Sequence, residues 1–126
     1  MKVGQYEIGG AVGIVPKTIG ATEDSASVRA QSWGWTLAVV AVAAIGGGLS
    51  IKVQDSADDS TFNDVVGSTF AASANSVHLV LIKHSAVREY VRIRAIGTTS
   101  PVASIALVRL NDASGSLVGS VDKLII

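Results

Sequence analysis

The chain has 126 residues, no cysteine, and ten basic residues balanced by ten acidic ones. That length fits one domain with its own core; the missing thiols exclude disulfides, thiolate nucleophiles and cysteine zinc sites. A neutral chain also lacks the basic excess with which nucleic-acid binders neutralise phosphates.

Residues 1–24, MKVGQYEIGGAVGIVPKTIGATED, are glycine-rich and broken by Glu7, so they do not read as a signal peptide. They are expected to form an extended N-terminal arm able to lie along a neighbouring subunit. The alternative is a short strand (Val3 to Ile8) and loop of the same domain. Residues 25–126 are expected to form the domain proper. SASVRAQ (25–31) is a weak strand. WTLAVVAVAA (35–44) is apolar on both faces and reads as a strand covered on both sides. Its apolar run is half the ~20 residues of a membrane helix, so no membrane segment is expected.

LSIKVQD (49–55) alternates cleanly, with Leu49, Ile51 and Val53 on one face. VHLVLIK (77–83) is apolar on both faces. REYVRIRAI (88–96) alternates again, Val91, Ile93 and Ala95 opposite Arg88, Tyr90, Arg92 and Arg94. VASIALVRL (102–110) and SLVGSVDKLII (116–126) read as the last strands. Between them lie turn clusters such as GGG, SAN, GTTSP and NDASGS. Seven or eight strands at near-regular spacing, with no convincing helix, predict an all-β fold: a single antiparallel β-sandwich, jelly-roll-like.

Four aspartates, Asp55, Asp58, Asp59 and Asp64, crowd the stretch after the alternating strand. They lack the glycine and closing glutamate of a calcium loop, so a hairpin turn is expected, with Phe62 turning inward as the next strand begins. His78 and His84 would stand roughly 20 Å apart on a continuous strand, too far to share a metal. Ser85 would face away from His84. No triad, metal cluster or phosphate loop emerges, so neither enzymatic activity nor a cofactor is expected.

The residues singled out for partner binding are Arg88, Tyr90, Arg92 and Arg94 on one strand face, and Trp33 and Trp35 around Gly34. The arginine ladder suits an acidic protein surface or a polyanion; equally, it could be a solvated face protecting the sheet. Two tryptophans at i and i+2 share a face and could stack a sugar ring, close one end of the core or fill an interface. Apolar residues are 48% of the chain and charged ones 16%, so some apolar surface is expected to be covered by partners.

GGGLSIKVQDSADDSTFNDVVGSTF (46–70) and REYVRIRAIGTTSPVASIALVRL (88–110) resemble a pattern of tailed-phage structural proteins. The pattern runs strand, acidic–serine turn, T-F, D-V and strand, then R-Y-V-R with T-G-T-S-P. Covering residues 20 to 110, the resemblance is to capsid decoration (cement) proteins. It implies a jelly-roll-like virion protein on the capsid surface, made in the host cytoplasm, clamping neighbouring major capsid protein subunits, often as a homotrimer. The glycine-rich arm departs from the pattern. A glycan-binding module of a tail or baseplate is the alternative expectation.

Overall fold

The computed structural model describes residues 2–3, 6–30, 34–43, 48–98, 101–111, 113 and 115–126, with 2–3, 6–13, 15 and 16 described by backbone alone. Among the described residues twelve strands follow in chain order: β1 (Lys2–Val3), β2 (Tyr6–Thr18), β3 (Thr22–Asp24), β4 (Val28–Arg29), β5 (Trp35–Val42), β6 (Leu49–Ser56), β7 (Asn63–Asp64), β8 (Phe70–Ala72), β9 (Ser76–Lys83), β10 (Tyr90–Gly97), β11 (Val102–Leu110) and β12 (Lys123–Ile125). A 3-10 turn covers His84–Ala86, and one helical turn, α1, covers Gly115–Val118.

One sheet runs β1-β2-β11-β5-β9-β12 and the other β3-β10-β6-β7. β4 joins β3 as a second segment against β10, and β8 joins β7 against β6. Counting each interrupted pair as one strand, and setting aside β1 and β12, leaves eight. Their order is first, eighth, third, sixth in one sheet and second, seventh, fourth, fifth in the other. That is the double Greek key of a jelly roll. The stretch expected as an arm contributes β2, which lies along β11 from Leu110↔Ile8 to Val102↔Thr18.

Alternation decides which side chains meet between the sheets. Thr36, Ala38, Val40 and Val42 of β5 point inward, as do Leu49, Ile51 and Val53 of β6 and Val91, Ile93 and Ala95 of β10. Ala103, Ile105 and Leu107 of β11 complete the facing row. The core is aliphatic, filled by β-branched residues that fit a pleated surface, and Phe70 packs at its margin.

Several local expectations are corrected. β5 is buried on one face and only half-buried on the other. The segment 116–126 is not one strand: Gly119 N–H donates to Gly115 O at 3.0 Å, closing a helical turn. Asp122 then clips the chain to β9, accepting Leu79 N–H on its carboxylate at 2.8 Å and donating its own N–H to Leu79 O at 2.9 Å. β12 follows parallel to β9, a pairing that local periodicity does not encode. β9 ends at Lys83, so His84 lies on the 3-10 turn and not on the strand of His78.

The second sheet contains a matched pair of plugs. The β3–β4 strand is broken at residues 25–27 and the β7–β8 strand at 65–69, which would leave N–H groups of the two central strands unpaired. Buried Ser25 accepts Ile93 N–H on Oγ at 2.8 Å, and its own N–H donates to Ile93 O at 2.9 Å. On the far side, fully buried Ser68 accepts Val53 N–H on Oγ at 3.0 Å and donates to Val65 O at 2.7 Å. Two serines thus stand in for missing ladder bonds. Gly97 is required where β10 ends, because a Cβ there would collide with Ile19 O and lie 2.8 Å from Pro101 Cδ.

Candidate functional site: the outer face of the second sheet

Register sets the arginines in rows. Arg94 stands opposite Asp24 of β3 on one side and Lys52 of β6 on the other. Arg92 stands opposite Gln54, which stands opposite Asp64 of β7. Like charges side by side on a sheet destabilise it, and here flanking carboxylates resolve the conflict. Asp24 grips Arg94 through two bonds, Nε to Oδ1 at 2.7 Å and Nη2 to Oδ2 at 2.9 Å. It also lies 3.4 Å from Arg92 Nη2. Asp64 takes Lys52 Nζ at 3.0 Å and Gln54 Nε2 at 2.8 Å, while Gln54 Oε1 accepts Arg92 Nε at 3.0 Å.

The result is a chain of charge-assisted bonds, Arg94–Asp24–Arg92–Gln54–Asp64–Lys52, laid across four strands. The Arg94 hydrogen bonds hold the Asp24 carboxyl below its ordinary value, against the opposing effect of burial and with Arg92 adding to the attraction. Asp64 is lowered too, first by the Gln54 amide and then by Lys52. Arg94 is correspondingly raised by Asp24.

Arg88 precedes β10 and is held apart from that chain. Its Nε and Nη2 reach Asp55 Oδ1 at 3.1 and 2.9 Å, and its backbone N–H donates to Asp55 Oδ2 at 3.1 Å. Tyr90 is half-buried, with Arg29 and Ser56 opposite it in register. Phe62 does not enter the core as expected: the Arg92 guanidinium lies over its ring at 4.0 Å, a cation–π contact on the outer face. Trp35 is half-buried with Lys83 Nζ 5.7 Å from its ring centroid; Trp33 lies outside the described residues.

The acidic segment is a hairpin loop between β6 and β7. Asp58 organises it by accepting the N–H groups of Ser60 and Thr61, both at 3.0 Å, and the Ser56 hydroxyl at 2.9 Å. Those bonds pull its carboxyl down to about 2. Asp59, at φ 60°, accepts the Ser27 hydroxyl. Each of the four aspartates is therefore engaged within the fold. Among the described residues no three His, Asp or Glu side chains gather as metal ligands would.

His78 accepts Ser73 N–H on Nε2 at 2.9 Å, which places its proton on Nδ1, 3.8 Å from Asp122 Oδ1. His84 Nε2 bonds the buried Thr36 hydroxyl. Both histidines serve the packing of strand ends. Asp24 and Gln54, the partners of Arg92 and Arg94, were not singled out from the sequence; they lie up to 70 positions away, and only cross-strand register reveals them.

No protein-family model and no curated protein sequence matches the chain. Its fold is similar to that of solved structures at low identity. The SPBc2 prophage-derived protein YomS matches with a TM-score of 0.60 and 8% identity, covering 87% of this chain and 98% of that one. The PBSX exported protein XepA matches with a TM-score of 0.59 and 8% identity over 86% of this chain; the chain spans only 37% of XepA. A chain from Bacillus endospore appendages, a family of disulfide-linked pili, matches with a TM-score of 0.54 and 14% identity, covering 85% and 88%. At these identities the likeness is one of fold, an antiparallel β-sandwich. No helix among the described residues is long and apolar enough to cross a membrane.

Proposed function

We propose that the chain is a non-enzymatic structural subunit of a phage virion, attached to the outer surface of the capsid and cementing neighbouring major capsid protein subunits. The observation that carries this reading is the contrast between the two outer faces. The second sheet ties its arginines to its own carboxylates, whereas the outward positions of β5, β9 and β11 carry one charge, Lys83, at the rim. A surface that is rigid on one side and nearly charge-free on the other belongs to a molecule made to be covered. The shared fold with a prophage-derived protein supports a phage origin, and the likeness to a pilus subunit supports a role in assembly.

Attachment to the shell would use the sheet edges, the N-terminal stretch and the partly exposed Arg88. Weak contacts would then be multiplied across the lattice. The test is to purify particles of the phage or prophage that encodes the chain, identify their proteins by mass spectrometry and locate this one by immunogold labelling. Label over the capsid shell is expected. Label confined to the tail would replace cementing with a tail role, and absence from the particle would overturn the virion reading altogether.

A further inference from the structure

The edges of the two sheets are not alike. The β3–β4 edge is interrupted at residues 25–27 and carries Glu23 and Asp24, and the β7–β8 edge is interrupted at 65–69 and carries Asp64. The β9 edge is taken by β12, a strand of 3 residues, and by Asp122, which bonds both backbone groups of Leu79. Short strands, breaks and charges are how sheet edges are closed to further pairing. The outer edge of β2 has none of these over most of its length. Among the described residues β1 pairs with it only at Tyr6 and Glu7, and IGGAVGIVP (8–16) brings no charge to it.

Backbone parity shows what that edge presents. Pro101 O accepts Ile19 N–H, toward β2, and Val102 O accepts Ala43 N–H, toward β5. Bonding direction alternates along a strand, so the odd-numbered residues of β11 face β2. Gly9 and Ala11, opposite Arg109 and Leu107, therefore turn their N–H and C=O inward, and Ile8, Gly10 and Val12 turn theirs to the open edge. The hairpin pair Val3↔Tyr6 obeys the same parity. The register is unbroken over residues 8–12, and the bulges come after it, where Ile105 meets Ile14 and Ala103 meets Lys17. The open window is thus ~17 Å long at ~3.4 Å per residue. Gly9 and Gly10 lie within it, and glycine inside a strand marks a place where another backbone approaches closely.

We propose that the edge over residues 8–12 is filled by an extended segment of the major capsid protein, added to the sheet through main-chain hydrogen bonds; this rests on the reading of the chain as a capsid-bound subunit and names its point of attachment. A row of outward N–H and C=O groups is recognised by another extended backbone, since a helix has already bonded its own. Ala11 stands opposite the buried Leu107, on the core side of the sheet, so the incoming segment is apolar at alternate positions. A second copy has no strand to offer. Its β2 is 13 residues long and held along β11, so it would run into β1 beside Tyr6 and Glu7, and its other edges are short or interrupted. The donor is therefore a segment free of a sheet of its own, and on a capsid the shell protein supplies it. Each short pairing is reinforced by the number of copies on the lattice.

The test uses the full chain and capsids of the phage that encodes it, stripped of this protein, with amide hydrogen exchange and co-sedimentation as readouts. In the free chain the amides of Gly9 and Ala11 should be protected, while those of Ile8, Gly10 and Val12 exchange freely. On capsids those three should become protected. Gly10→Pro and Val12→Pro each remove an outward N–H and no ladder bond within the chain, a position where an edge strand tolerates proline. Each should bind capsids about tenfold or more weakly, near the net worth of one hydrogen bond. Val66→Ser, at a 97% exposed position in the β7–β8 interruption, is the control and should bind like the wild type. Capsid binding that leaves the three amides exchanging, or that both proline variants match, overturns the strand addition and leaves the virion role standing. A wild type that binds no capsid overturns both. A free chain with the three amides already protected, in an oligomer that the proline variants dissolve, gives the edge to a second copy and overturns the capsid strand. The exchange pattern is read on the wild type, so it decides even if neither proline variant folds.

Discussion

Replacing Ser25 or Ser68 by Ala tests the idea that two buried hydroxyls stand in for missing ladder bonds. In Ser68→Ala the Val53 N–H loses its acceptor at 3.0 Å and Val65 O loses a donor at 2.7 Å, in a site with no solvent exposure. In Ser25→Ala the Ile93 N–H loses its acceptor at 2.8 Å. A buried donor left unpaired costs about 1–3 kcal/mol, more than the 0.5–1.5 kcal/mol net value of an ordinary hydrogen bond. For a domain of this size that lowers the melting temperature by roughly 3–6 °C per kcal/mol. The two serines lie on opposite sides of the β10–β6 pair, about 14 Å apart by strand spacing. Their effects should therefore add, giving about 2–6 kcal/mol in the double variant. Urea unfolding at unchanged m-value measures the loss, and amide exchange should show Val53 and Ile93 losing protection. If Ser68→Ala unfolds within about 0.3 kcal/mol of the wild type, the plug argument fails.

Other consequences are equally open to measurement. Gly97→Ala should cost about 1–3 kcal/mol by overpacking against Ile19 O and the Pro101 ring; thermal unfolding within a degree of the wild type would contradict the clash. The Asp58 carboxyl should titrate near 2 by NMR. Because that value lies below the unfolded one, the loop's stabilisation is present above about pH 4 and is lost as pH falls toward the folded value. An ordinary Asp58 midpoint would mean that the Ser60 and Thr61 bonds do not persist in solution. Arg94→Ser removes the largest influence on Asp24, so the Asp24 carboxyl should move back up toward the usual carboxylate range; an unmoved titration would show that Arg92 alone suffices. Replacing Arg88, Arg92 and Arg94 together by Ser should weaken capsid binding and flatten its salt dependence if the face docks on an acidic partner. Unchanged binding would leave the ladder with its internal role alone.

How much of this was legible in the sequence depended on the range over which each feature is encoded. The period-two runs of β6 and β10 placed Leu49, Ile51, Val53, Val91, Ile93 and Ala95 in the core, where they are buried. Alternation is local, so one strand suffices to show it. The hairpin at Asp58 was legible for the same reason, since its capping bonds reach only three residues. The helical turn at Gly115–Val118 was missed because β12 owes its start to Asp122 bonding Leu79, 43 positions earlier. Phe62 was misplaced because its partner, Arg92, arrives on another strand. The arginines themselves were found, but their neutralisation by Asp24 and Asp55 depends on strand order, which a single sequence leaves open. The broken strands plugged by serine gave no signal, since Ser25 and Ser68 look like any turn residues until the strands beside them are in place.

The pairing of β2 with β11 also sets a clock on the making of the molecule. Val12 meets Ala106, so the first long strand, beyond its short pairing with β1 at Tyr6 and Glu7, must wait for the penultimate one before its backbone has anything to bond. On a ribosome adding 5–20 residues per second, that wait is roughly 5–20 s. β3 likewise waits for β10, and β5 for β9; the local pairings of β1 with β2 and of β6 with β7 and β8 can close early. Partners this distant in sequence make for slow folding. During that interval the apolar strand β5 is exposed in a crowded cell. Synthesis in excess of folding capacity should accordingly yield aggregates enriched in chains truncated before β11, while cooler, slower expression favours the soluble sandwich.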